Sequence, residues 1–216
     1  HNSYIHISIL PFSYKRLYFK SMGINIVIWT ILRLAGPLLI LRWPLAGAII
    51  SINLDLIDYQ FIGIWPHYQQ WDKLLDIFFL GLCFYSSLAW KDVLAKRLSI
   101  ISYLYRLLGV ILFFITSREW LLFIFPNFFE NFFFFYLFYS KLSQANKLFT
   151  NNKIVVVVSL SLLLPKLLQE YYMHILKHSI TTNRFAEMLF YFLWIFAVLL
   201  AMISLKLIHR HDHTKS

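Results

Sequence analysis

The chain has 216 residues, of which 60% are hydrophobic, 19% aromatic and only 14% charged, with a formal net charge of +10. A soluble domain carries roughly 25% charged residues and about 45–50% apolar ones, so this composition excludes an ordinary soluble domain. Runs near the ~18–20 apolar residues that cross a bilayer core point instead to an all-α, polytopic transmembrane helix bundle, an integral, multi-pass membrane protein with six to seven spans. The positive charge reads as loops and helix ends touching membrane lipids, with no nucleic acid as partner. The single cysteine, Cys83, lies in an apolar run, which excludes a disulfide within the chain.

Residues 1–22 alternate bases with aromatics at Tyr14-Lys15-Arg16-Leu17-Tyr18-Phe19-Lys20, the pattern of an N-terminal interfacial segment. They lack the basic start, apolar core and small-residue cleavage site of a signal peptide. The chain starts with His1, which fits a fragment or a processed form. A transmembrane helical domain is expected over 23–208, followed by a polar C-terminal tail over 209–216.

The first span, Ile24 to Leu41, contains Arg33 and Pro37. An arginine inside a span needs a partner or an aqueous cavity. Arg42-Trp43-Pro44 forms a turn, with Pro44 suited to the first turn of the next helix. The second span, Leu45 to Ile62, starts with the small residues Ala46, Gly47 and Ala48 and ends on Asp55 and Asp58. After the short aromatic loop 63–70, the third span runs from Asp72 to Trp90 and the fourth from Leu98 to Thr116, with Arg106 inside it. The fifth, Trp120 to Tyr139, is dominated by phenylalanine and broken at Pro126-Asn127 and Glu130-Asn131; the run 132–135 reads as lipid-facing or packed bulk. The sixth covers Ile154 to His174 and the seventh Glu187 to Ile208.

Four of the ten acidic residues fall between 55 and 76. Asp55 and Asp58 are three apart and Asp72 and Asp76 four apart, so each pair shares a helical face. The loop between them is short, which makes the two helices antiparallel neighbours and brings all four carboxylates to one membrane surface. Four crowded carboxylates repel one another unless something positive sits among them. A hard divalent ion with oxygen ligands, Mg2+ or Mn2+, suits that arrangement. Helix capping, or pairing with Arg33 and Lys73, is the structural alternative.

The stretch resembles the CDP-alcohol phosphatidyltransferase family, integral membrane enzymes of phospholipid synthesis whose signature reads D-x2-D-G-x2-A-R followed by G-x3-D-x3-D. Asp55 and Asp58 match the first pair and Asp72 and Asp76 the second. Thr30-Ile-Leu-Arg33 followed by Pro37 looks like the T-x-x-R…P pattern of the family's first helix, and Arg118-Glu119 like the Arg-Glu opening its fifth. The resemblance covers residues 24–125. Tyr59 and Tyr68 stand at the two glycine positions, the alanine and arginine have no equivalent, and the interval between the pairs is shorter.

The resemblance implies a metal-dependent transferase moving a phosphate-linked group from a CDP-linked lipid donor to an alcohol. Asp55, Asp58, Asp72 and Asp76 would be metal ligands and Asp76 also the catalytic base on the acceptor hydroxyl. Arg33, Lys73 and Arg118 would face phosphate. A further alternative is an inherited fold whose activity is lost or redirected, and the competing class is a non-catalytic structural or accessory subunit held in a larger membrane complex by its aromatic helices; a homodimer is the other partner arrangement expected.

Weaker signals lie further on. Arg118-Glu119 and Glu130-Asn131 read as a second polar cluster or as satisfied pairs between helices. His174 and His178 share a face near Glu170, and His209, His211 and His213 crowd the tail; interface histidines and a solvated tail are the plainer readings. The charges set up a conflict of orientation. The resemblance requires the 55–76 loop to face the cytoplasm, whereas the loops on the opposite side carry more lysine and arginine, which the positive-inside rule places inside.

Overall fold

The computed structural model describes residues 12–62, 67–143, 149 and 152–176, together with 192, 195–196, 198–199 and 202–203. Every regular element among them is helical. Helix α1 is Phe12–Leu38, continued by a 3-10 turn at Leu39–Leu41; α2 is Pro44–Ile62, α3 Tyr68–Ser87, α4 Val93–Thr116, α5 Trp120–Ile124, α6 Phe128–Ser143 and α7 Asn152–His174. Among the described residues five segments are long and apolar enough to cross a membrane: Gly23–Leu41, Pro44–Ile62, Val93–Thr116, Trp120–Lys141 and Asn152–Met173. Helix α3, expected as the third span, is 20 residues long and opens on Asp72, Lys73 and Asp76. Helix α1 runs unbroken through residue 22, so residues 12–22 of the expected interfacial segment continue the first span as one helix. Residues 1–11, most of the expected seventh span, His178 and the tail lie outside the described residues.

The first three helices form one unit, with α1 packed along α2 and α3 against both. Proline starts α2 where its missing N–H removes no hydrogen bond. Three residues on, a Cβ at Gly47 would overlap the backbone of Leu39 and Ile40, so the hairpin closes only over a glycine. Helix α4 packs on α3 and α6, and α7 on α5 and α6. Asp92 begins α4: one carboxylate oxygen accepts from Ala95 N at 3.1 Å and the other from Phe149 N at 2.8 Å, so one buried side chain caps a helix and anchors the segment before α7. The α4–α5 crossing is equally tight, since a Cβ at Gly109 would overlap the Phe125 ring.

Helix α6 is the centre of the bundle. Phe129, Phe132, Phe133 and Phe135 are all nearly inaccessible, which answers the question about the phenylalanine run: it is packed bulk. A helix apolar on every side is stable only when surrounded. Trp90 joins this core by stacking on Tyr136 at 3.8 Å and Phe133 at 5.7 Å between ring centroids. The aromatic core fills the half of the bundle near the α1–α2 and α3–α4 turns. The other half has a polar interior, and the site lies there.

Candidate functional site

Three helices meet at the polar cluster. Helix α2 contributes Asp55 and Asp58 one turn apart, and the antiparallel α3 contributes Asp72, Lys73 and Asp76 from its first three turns. Helix α1 supplies Arg33. At 1.5 Å per residue, the carboxylates sit about 6–12 Å inside the ends of their helices, below the rim rather than on it. All four aspartates converge there, within ion-pair distance of one guanidinium.

The positive group among them is the Arg33 guanidinium. Its Nη1 lies 2.6 Å from Asp58 Oδ2 and 2.8 Å from Asp72 Oδ1. Its Nη2 pairs with Asp55 Oδ1 and lies 3.5 Å from Asp76 Oδ1. One fork thus ties both aspartate pairs together, the geometry for which arginine is suited and lysine is not. Lys73 Nζ adds bonds of 2.8 Å to Asp72 and 3.3 Å to Asp76. Arg33 also lies over the Trp71 ring, 5.3 Å from its centroid, while the Trp71 indole donates to Thr30 Oγ1 at 2.9 Å. The Trp71–Thr30 bond links α3 back to α1.

Tyr68 occupies the position where the resemblance places a glycine, and its hydroxyl donates to Asp58 Oδ1 at 2.8 Å. Asp58, with no exposed side-chain surface, is thereby bonded at both oxygens. The phenol fills space and supplies a hydrogen bond where a glycine would leave room for a ligand. Asp55, with 37% of its side chain exposed, marks the open side of the cluster. The Tyr59 side chain lies outside the described residues.

The cluster has the donor chemistry for a hard cation. One carboxylate oxygen each from Asp55, Asp58 and Asp72 lie within 4.8 Å of one another. Counted at formal charge, four carboxylates against Arg33 and Lys73 leave an excess of two negative charges. All-oxygen ligands and an excess of two suit a single Mg2+ or Mn2+. Of the three basic residues expected to face phosphate, Arg33 and Lys73 are engaged with the aspartates, and Arg118 is an exposed residue just beyond α4, outside these ion pairs.

A second group of buried polar residues continues inward. The Asn127 amide donates from its backbone to Glu170 Oε1 at 3.2 Å and from its side chain to Glu130 Oε2. Lys166 Nζ lies 3.8 Å from Glu170 Oε1. Arg106 donates to the carbonyls of Phe125 at 2.7 Å and Leu122 at 3.3 Å, holding the C-terminal end of α5. Asn127, Glu130, Lys166 and Glu170 thus form a second polar group. Of the expected second cluster, Glu130 and its neighbour Asn131 are inside it or buried beside it, whereas Arg118 is not. Asn127, Lys166 and Glu170 went unassigned in sequence; their common signal is a polar side chain inside or beside an apolar run. Comparison with protein-family models, curated proteins and solved structures gives no match to the chain.

Proposed function

We propose that the chain is a divergent, membrane-embedded phosphotransferase of the CDP-alcohol phosphatidyltransferase type, with six to seven spans once α3 and the segment 187–208 are counted. The observation that carries this reading is the convergence of Asp55, Asp58 and Asp72 within 4.8 Å, with Asp76 on the same guanidinium and two negative charges in excess. Those four aspartates would hold Mg2+ or Mn2+, with Asp76 also placed to take the proton of an acceptor alcohol, a poor nucleophile until deprotonated. The bound ion would supply Lewis-acid stabilisation of charge on the phosphates. Arg33 and Lys73 would then share the carboxylates with the ion and present their free donors to phosphate, with Arg118 nearer the rim. Donor and acceptor are a CDP-linked lipid and an alcohol.

Mn2+ binding tests the reading. Purified protein titrated with Mn2+ and followed by electron paramagnetic resonance should bind the ion, more tightly with a CDP-linked lipid present, and Asp55→Asn and Asp72→Asn should each abolish that binding. Absence of any aspartate-dependent binding removes the enzyme.

One observation favours a second reading. Arg33 already pairs with all four aspartates, so the cluster is a self-contained clamp that joins α1, α2 and α3 without an ion. On that reading the chain is a structural or accessory subunit of a membrane complex. Stoichiometric co-purification with a membrane partner, combined with no Mn2+ binding, supports it.

A further inference from the structure

The end of the bundle opposite the aspartates has its own chemistry. A cleft of about 530 Å³ opens between the turn that joins α1 to α2 and the C-terminal end of α3. Its walls include Leu41, Pro44, Tyr85, Leu88 and Trp90, and Arg42 is the charged residue among those that line it. Arg42 is exposed, and among the described residues no carboxylate lies within ion-pair distance of it. Leu41 and Leu88 are exposed as well, so apolar surface runs from the cleft onto the outside of the bundle. Trp43 and Tyr85, 59% and 67% exposed, flank it as interfacial aromatics do.

Among the described residues, the exposed charges at this end are basic. Lys91 and Arg97 are exposed on the following loop and first turns of α4, and Lys141 and Lys153 at the adjoining ends of α6 and α7. Among the described residues the acidic group at this end, Asp92, is buried and committed to the amides of Ala95 and Phe149. A ligand for this cleft needs an anionic group at the level of Arg42 and an apolar portion to lie along Leu41 and Leu88.

We propose that this cleft binds an anionic phospholipid, its phosphate on Arg42 and its acyl chains against the leucines. The site is independent of the aspartate cluster and of any activity there. An unpaired basic residue at the membrane surface contributes attraction to anionic lipid on the order of 1 kcal/mol, and a cleft that also receives the chains converts that attraction into retention of a particular molecule.

Native mass spectrometry of the detergent-solubilised protein tests this with phosphatidylglycerol, phosphatidylcholine and inorganic phosphate as probes. Wild type should retain one phosphatidylglycerol in preference to phosphatidylcholine, and inorganic phosphate should not displace it. Arg42→Gln should weaken retention about fivefold to tenfold, whereas Arg97→Gln, outside the cleft, should leave it unchanged. Ala89→Phe, which fills the cleft while keeping every charge, should weaken retention as Arg42→Gln does. Equal retention of the two lipids, equal loss in Arg42→Gln and Arg97→Gln, or displacement by inorganic phosphate would overturn the proposal. Unaltered helicity of each variant by circular dichroism excludes misfolding as the cause.

Discussion

Arg33 holds four carboxylates from two helices on one guanidinium, inside a span, with its side chain only 4% exposed. Removing it leaves buried charges facing each other without a counter-ion. Arg33→Gln should therefore destabilise the protein by about 3–5 kcal/mol, read as a lower unfolding midpoint in detergent. Arg33→Lys should recover only part of this, because an ammonium lacks the planar fork that reaches both aspartate pairs. Added Mn2+ should raise the midpoint of Arg33→Gln if the carboxylates accept an ion, since a ligand bound only by the folded state stabilises it. No shift with Mn2+ would favour the clamp reading. Tyr68→Phe removes a hydrogen bond to the charged, fully buried Asp58 and should cost about 1.5–3 kcal/mol. At this scale the sequence was half legible. The spacing of the aspartates predicted their meeting, because helical periodicity and a short loop leave few alternatives. Pairing with Arg33 and Lys73 was legible as the structural alternative, and it is what the helices form; that one guanidinium would reach all four aspartates and that Tyr68 would join them was not, because such contacts arrive by tertiary packing that no local spacing encodes.

The helices themselves were largely legible, because apolar runs and prolines mark them directly. Their packing was not. Gly47 read as one of several small residues, yet it is the point at which α2 meets the backbone of Leu39 and Ile40. Gly47→Ala should cost about 1–3 kcal/mol through overpacking against backbone that cannot move aside, again read as a lowered unfolding midpoint. Asp92 stands in sequence between basic residues, Lys91, Lys96 and Arg97, and nothing in that setting marks its role, yet its carboxylate serves both α4 and Phe149. Asp92→Ala should lose about 1–2 kcal/mol for the cap alone, and more if the Phe149 amide is left buried without an acceptor. Hydrogen exchange at Phe149 that stays slow in Asp92→Ala would contradict that bridging role. Helix α3 shows why span counting fails here. Its first turns carry the charges that build the site, so hydropathy undervalues the helix that the site most depends on.

Across the whole molecule, polarity is divided between two ends. One half of the bundle encloses the aspartates, Arg33, Lys73, Arg106, Glu130 and Glu170; the other encloses a phenylalanine core and ends in Arg42, Lys91, Arg97, Lys141 and Lys153. Two physical arguments then give opposite orientations. A nucleotide-linked donor requires the aspartate end to face the cytoplasm, whereas the basic residues of the other end would place that end inside. A His67→Cys variant decides between them, because the native Cys83 is buried and unreactive. Phosphotransfer from a CDP-linked donor predicts labelling at position 67 from the cytoplasmic side; labelling only from the opposite side would exclude that donor.

The proposed phosphotransfer requires the aspartate cluster to accept a divalent ion despite the guanidinium at its centre. Mn2+ titration of the purified wild-type protein beside Asp55→Asn and Asp72→Asn, followed by electron paramagnetic resonance, tests it most directly. Wild type should show a saturable Mn2+ site that tightens with a CDP-linked lipid and is lost in both variants. Binding that is absent from wild type, or that survives both substitutions, would contradict it.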